Sequence, residues 1–312
     1  MALPTYADPL EKIWYYAYKV ICTAIFVFLI APILVIIPLS FNVEPYFTFT
    51  DKMLTLDPEG YSLRWYDALL TLGMQAGDAV RDGAWWSDVW NNATWVKAAK
   101  NSVIVGFWAT IVATTLGTLA ALGLSRPEMP YRRVVMAILI SPMIVPIIII
   151  ATGLFFFYSN PCGIVGTSCG RLTSTYTGVI LAHATLGIPF VIITVTATLS
   201  GFDQSLIRAS ASLGANPRTT FFKVIMPLIL PGVVSGALFA FVTSFDEVVA
   251  VMFIAGPEQQ TIPRQMWNGI REAISPAILA VATILVVISI ALLATVELLR
   301  RRGERLRGVT PR

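Results

Sequence analysis

The 312 residues are 56% hydrophobic and only 13% charged, with a net charge of +4. Soluble domains carry about 25% charged residues, so this composition excludes an ordinary water-facing globule. The basic excess is distributed by topology, as the loops show below, and is not a nucleic-acid footprint.

In chain order, the opening "DPLEKIWYYAYK" reads as an interfacial helix within an N-terminal segment of residues 1–19. An uncharged run follows at 20–41. It is too long for the apolar stretch of a cleaved leader and has no small-residue cleavage site after it, so it reads as a retained span. Further apolar runs occupy 101–125, 134–158, 175–201, 226–255 and 277–296. About 20 apolar residues cross the hydrocarbon core, and a helix satisfies its own backbone there. The expected fold is therefore an all-α membrane protein with six transmembrane helices. Pro32, Pro142, Pro146, Pro189 and Pro231 fall inside these runs and read as kinks packed against neighbours. Small residues in "ATTLGTLAALG" and "GVVSGALFA" suit close helix approach.

Basic residues orient the spans. With the N-terminus placed inside, the cytoplasmic segments hold fourteen Lys and Arg, including Lys12, Lys19, Arg126, Arg132, Arg133 and six in the tail, against eight in longer outside loops. Both termini are expected in the cytoplasm. The expected organisation is a cytoplasmic segment 1–19, a first transmembrane helix 20–41, an extracytoplasmic loop 42–97, a core 98–299 with a cytoplasmic loop at 202–225, and a basic cytoplasmic tail 300–312. The tail suits a stop-transfer anchor near anionic lipid.

Residues 43–100 carry eight acids against five bases, and five of the eight Trp. Trp86 and Trp90 share a helical face, which suits an amphipathic helix on the outer leaflet or a platform for an extracytoplasmic protein. Cys162 and Cys169, in "PCGIVGTSCG", fall in one outside loop where a disulfide would survive; a bridge and two free thiols both fit. Cys22, in the first run, reads as packing. No metal site is expected, because the single histidine, His183, is far from the cysteines in sequence and reads as a packed, hydrogen-bonded residue.

The segment "SLIRASASLGANPRTTFFKVIMP" at 205–227 interrupts two apolar runs. Leu206, Ala209 and Leu213 form one stripe of a short helix. Gly214 is a natural stop, and Asn216 with Pro217 restarts a helix as N-cap and first residue. Phe221, Ile225 and Leu228 carry a new stripe into the next run. A plain connector would be about 4–6 residues long. A small-faced helix projecting from the spans suits a groove on another protein.

This segment resembles the cytoplasmic loop of the inner-membrane permease subunits of binding-protein-dependent ABC importers. Leu213-Gly214-Ala215, Phe221, Phe222 and Met226-Pro227 fit the family pattern. Arg208-Ala209-Ser210 stands where that pattern has Glu-Ala-Ala, so the acid and the second Ala are replaced. The resemblance covers roughly residues 97–300 and implies the type I importer permease fold in a bacterial inner membrane, with residues 98–299 as its transmembrane domain. It also implies a cytoplasmic ATPase dimer docked on Leu206, Arg208, Ala209, Ser210, Leu213, Gly214 and Phe221, a second permease subunit, and an extracytoplasmic solute-binding protein.

In the fifth run, Asp246 and Glu247 interrupt an otherwise apolar stretch. A carboxylate at the centre of a span costs about 2.5–3.5 kcal/mol on insertion scales. The pair either lines a pathway for a cationic solute, or stabilises structure by meeting an Arg or capping a helix break. Ser244-Phe245-Asp246-Glu247, Ile262-Pro263-Arg264-Gln265-Met266-Trp267 and Ile274-Ser275-Pro276 are similar to the permease branch of spermidine/putrescine importers. That resemblance implies a polyamine solute, with Asp246, Glu247, Phe245 and Trp267 along its route. Trp267 also suits an interfacial anchor. The branch serves other small organic solutes as well. The sequence contains no Gly-rich phosphate loop ending in Lys-Ser/Thr, so ATP is expected on the partner, and no catalytic residue or cofactor of the chain's own is expected. A self-contained secondary transporter is the rival class, but matching inverted repeats are not evident. Ser235 lacks a recognisable base, which argues against an intramembrane hydrolase.

Overall fold

The computed structural model describes residues 8–306 except 76, 127, 164–169, 204, 273 and 274. Its helices, in order, are α1 (Pro9–Leu39), α2 (Asp51–Leu54), α3 (Arg64–Thr71), α4 (Gly83–Asn92), α5 (Thr94–Leu124), α6 (Arg132–Ile144) and α7 (Ile147–Ser159). They continue with α8 (Tyr176–Ser200), α9 (Ser205–Ser212), α10 (Pro217–Thr220), α11 (Met226–Phe245), α12 (Val249–Ile254), α13 (Ile262–Glu272) and α14 (Ala277–Leu306). No strand occurs among the described residues; an isolated bridge joins Asn42 to Tyr61.

The apolar runs become helices of three kinds. Pro9–Leu39, Thr94–Leu124, Tyr176–Ser200 and Pro217–Phe245 are each long and apolar enough to cross a membrane. The third run is a bent pair, α6 and α7, meeting at 104°. Pro146 breaks it, where a kink was expected: the residue before a proline is driven out of the helical region, and Val145 is extended at ψ 136°. The sixth run supplies a shorter apolar helix, Ala277–Ala291, within α14. Among the described residues there are thus four long candidate spans, a bent pair and a shorter apolar helix, not six alike.

The chain divides into two compact units, one of Met1–Gly73 with Gly269–Arg312 and one of Met74–Asn268. In the first, α1 and α3 pack on α14. The expected boundary at residue 19 falls inside α1. Asp8 caps the helix, Pro9 occupies its first position, and the Glu11 carboxylate accepts from the Asp8 N–H at 3.3 Å. This capping box starts the helix well before the apolar run. Asn42, fully buried, ties the following loop: its side chain donates to Tyr46 O and Thr48 O, while its carbonyl accepts from Trp65 Nε1 at 2.7 Å.

In the second unit, α5, α8 and α11 pack together around Ala109, Ala113, Ala184, Val191, Val195, Ile229 and Ala240. Small residues let the backbones approach, as the sequence suggested. A Cβ at Gly236 would stand 2.8 Å from Val191 Cα, closer than packed atoms tolerate. A second cluster, with Val105, Tyr158, Val179, Val251 and Ile254, brings α12 against α7 and α8.

Candidate functional site

Two regions of the second unit hold the candidate residues. The first is the hairpin of α9 and α10. The helix α9 ends where expected: Gly214 has φ +78°, a conformation glycine adopts without steric cost. Asn216 Oδ1 then accepts from the Thr219 N–H at 2.8 Å and Pro217 opens α10. The α10 helix runs through a π turn at Phe221–Ile225 into α11. Ahead of α9, Asp203 accepts from the Ser205 hydroxyl at 2.7 Å and from its amide at 2.8 Å. These bonds, the hydroxyl first, hold its carboxyl below the usual range.

Leu206, Arg208, Ala209, Leu213 and Gly214 are exposed, Leu213 at 88%. Leu213 directly follows the last residue of α9, in the turn toward α10. Ser210 behaves differently. It is buried, donates to Ile207 O at 2.8 Å, and shares a 2.9 Å hydrogen bond with Thr220 Oγ1. The serine that departs from the Glu-Ala-Ala pattern is therefore the pin between α9 and α10. Phe221, half-buried, lines a cavity of about 690 Å³ together with Leu122, Arg126, Phe202 and Ile207.

The second region is the end of α11. The fifth run does not continue as one helix: α11 stops at Phe245, and α12 begins at Val249. Asp246 and Glu247 occupy the break and not mid-helix positions. Asp246 is exposed; Glu247 is buried at 8% exposure. Glu247 Oε1 accepts from the Ala250 N–H at 2.9 Å, and neither acid forms an ion pair among the described residues. Phe245 is half-buried and its ring stacks on Phe241 at 5.7 Å. Trp267, on α13, is 44% exposed.

Past the break, along and beyond α12, and at Ser244 before it, lie polar contacts; of their side chains the sequence singled out His183, as a packed, hydrogen-bonded residue. Arg264 Nη1 donates to Val251 O at 2.9 Å and Ala255 O at 3.0 Å. Asn101 Nδ2 donates to Glu258 O and Gln260 O, both at 2.8 Å, and its Oδ1 accepts from Tyr176 OH at 2.7 Å. The Ser102 hydroxyl accepts from the Ile262 N–H at 2.8 Å. His183, 1% exposed, shares a 2.8 Å hydrogen bond through Nδ1 with Ser244 Oγ, two residues before Asp246. Asn101 and Ser102 opening an apolar run were the one available signal, since buried polar groups require partners.

Cys162 is disulfide-bonded; Cys169 lies outside the described residues. Cys22 is a free thiol. Trp86 and Trp90 are both exposed on α4, while Trp85 beside them is buried.

A polar break in an apolar helix and a separate, exposed helical hairpin fit a membrane transport subunit. Residues 113–305 match the family described as binding-protein-dependent transport system inner membrane component. The chain belongs to this family and is a multi-pass inner-membrane permease subunit.

It is similar to the spermidine/putrescine transport system permease protein PotC of Haemophilus influenzae, at 31% identity over 280 residues, 90% of this chain and 95% of that one. It is also similar to PotC of Escherichia coli, at 28% over 89% of this chain and 92% of that one. The putrescine transport system permease protein PotI of the same species is 29% identical over 91% of both chains. Among solved structures, a bacterial alginate ABC transporter in complex with an alginate pentasaccharide-bound periplasmic protein shares the fold, with a TM-score of 0.64 at 16% identity, covering 94% of this chain and 96% of that one.

Proposed function

We propose that this chain is the permease subunit of an ATP-driven importer for a small organic cation of the polyamine class. The observation that carries the reading is the similarity to polyamine permeases over about nine-tenths of the chain. The exposed Asp246 at the break supports it, because a polycation crossing an apolar environment needs anionic groups on its route. In this reading both termini and the α9–α10 hairpin are cytoplasmic, following the basic-residue bias. Leu206, Arg208, Ala209, Leu213 and Gly214 meet an ATPase dimer, whose closure on ATP moves α9 and, through the Ser210–Thr220 pin and the π turn, α11. An extracytoplasmic binding protein delivers the solute, and a second permease completes the pathway. Phe245 and Trp267 flank the route, and Trp267 can meet a cation with its ring face. The 42–97 loop faces outward, and Cys162 pairs with Cys169.

The test is uptake of labelled putrescine and of an uncharged diol of equal length by vesicles bearing the assembled importer. Putrescine enters with ATP and the diol does not; equal entry of the two would refute the cation reading. Asp246→Asn raises KM for putrescine, and an unchanged rate at limiting solute removes Asp246 from the pathway.

A further inference from the structure

Both ends of α12 are held by charged side chains that do not pair with each other. At its start, the N-cap residue is Val248, which has no side-chain oxygen to offer the orphan amides of a first turn. The buried Glu247, one residue earlier, supplies the acceptor to Ala250 N–H at 2.9 Å. At its end, Arg264 donates to the carbonyls of Val251 and Ala255 at 2.9 and 3.0 Å, and the Ser174 N–H reaches Ile254 O at 2.7 Å. A six-residue helix has little stability of its own, so its place depends on these caps together with the packing of Val251 and Ile254 against α7 and α8. Arg264 lies on α13, one turn before Trp267. The Asn101 side chain clasps the intervening strand of backbone through Glu258 O and Gln260 O.

We infer that Glu247 and Arg264 are positioning residues that hold α12 from its two ends and so fix the break that presents Asp246, and that Glu247 is not itself a ligand of the solute. This deepens the cation-permease reading and rests on it for the transport measurements. Glu247 then matters as a hydrogen-bond acceptor and not as a charge, whereas Asp246 matters as a charge. The two carboxylates, adjacent in sequence and different in burial, divide the work of shaping the site and meeting the cation.

The test compares Glu247→Gln, which keeps an acceptor oxygen, with Glu247→Ala, which does not, in the assembled importer. Glu247→Gln keeps KM and Vmax for putrescine within about twofold of wild type. Glu247→Ala and Arg264→Ala raise KM, and Asp246→Asn combined with Glu247→Ala gives the KM of Asp246→Asn alone, because both act through the same group. If Glu247→Gln raises KM as far as Asp246→Asn does, Glu247 is a solute ligand and the inference falls. A readout independent of the solute is the rate at which a small cationic thiol reagent labels Asp246→Cys, above the background of the unsubstituted chain. Adding Glu247→Gln leaves that rate unchanged, and adding Glu247→Ala shifts it roughly fivefold, as loss of a cap would. An unchanged labelling rate with Glu247→Ala overturns the inference. Failure of putrescine uptake in the wild-type importer, with the labelling pattern as expected, overturns the polyamine reading and leaves the caps standing.

Discussion

Ser210→Ala converts the hairpin toward the family pattern, yet the structure predicts that it weakens the hairpin. The substitution removes the bond that Ser210 Oγ donates to Ile207 O and the one it shares with Thr220 Oγ1. Thr220 is 6% exposed, and its hydroxyl loses the partner shown for it. An orphaned buried hydroxyl costs about 1–3 kcal/mol, whereas replacing both partners by apolar groups is close to neutral. We therefore expect Ser210→Ala to destabilise the α9–α10 contact by about 2 kcal/mol, and Ser210→Ala with Thr220→Val to recover most of that loss. Hydrogen exchange of the α9 amides in the purified complex reads the effect directly, since a loss of 2 kcal/mol raises local opening roughly thirtyfold. Unchanged exchange in Ser210→Ala, or faster exchange in the double variant than in the single, would refute the pin between the two helices.

Leu213→Asp alters a residue that is 88% exposed; the chain folds and inserts as wild type, but ATP-driven uptake is lost, and wild-type uptake would mean that the tip of α9 meets no partner. Gly236→Ala places a methyl 2.8 Å from Val191 Cα and costs about 1–3 kcal/mol by overpacking, read as a lower unfolding temperature in detergent; an unchanged temperature would deny the close α8–α11 approach. Asp203, its carboxyl lowered by the Ser205 hydroxyl and then the Ser205 amide, supports the start of α9 fully above the unfolded carboxylate value of about 3.9. That support is lost as pH falls through the lower native value. Hydrogen exchange of α9 in Asp203→Asn is therefore faster than wild type at pH 7 and converges with it in strong acid, and equal exchange at pH 7 would contradict the cap.

How much of this was legible depends on the distance over which each feature is specified. The stop at Gly214 and the restart at Asn216-Pro217 are local chemistry, and they stand where the residues place them. The apolar runs fixed the helices but not their continuity. Pro146 broke a helix, whereas Pro32, Pro142, Pro189 and Pro231 lie inside helices that continue past them, and the residue type alone does not distinguish the two outcomes. The fifth run is apolar on both sides of Asp246-Glu247, so periodicity carries no mark of the break; the adjacent acids were its trace, and capping was one of the two readings they allowed. For Glu247 the structure has the cap, through Ala250. Asn101, Tyr176 and Arg264 stayed hidden because their partners are carbonyls elsewhere in the chain, in the case of Asn101 and Glu258 separated by 157 residues. Ser210 was visible only as a departure from a pattern, and its partner Thr220, ten residues on, gives the departure a physical reason.

The most direct measurement is uptake of labelled putrescine into proteoliposomes that contain this chain alone, or this chain with its ATPase, second permease and binding protein. Uptake confined to the full assembly with ATP inside is the expected result. Solute accumulation by the isolated chain, driven by an ion gradient with no nucleotide present, would show that the α9–α10 hairpin is not where the driving force enters.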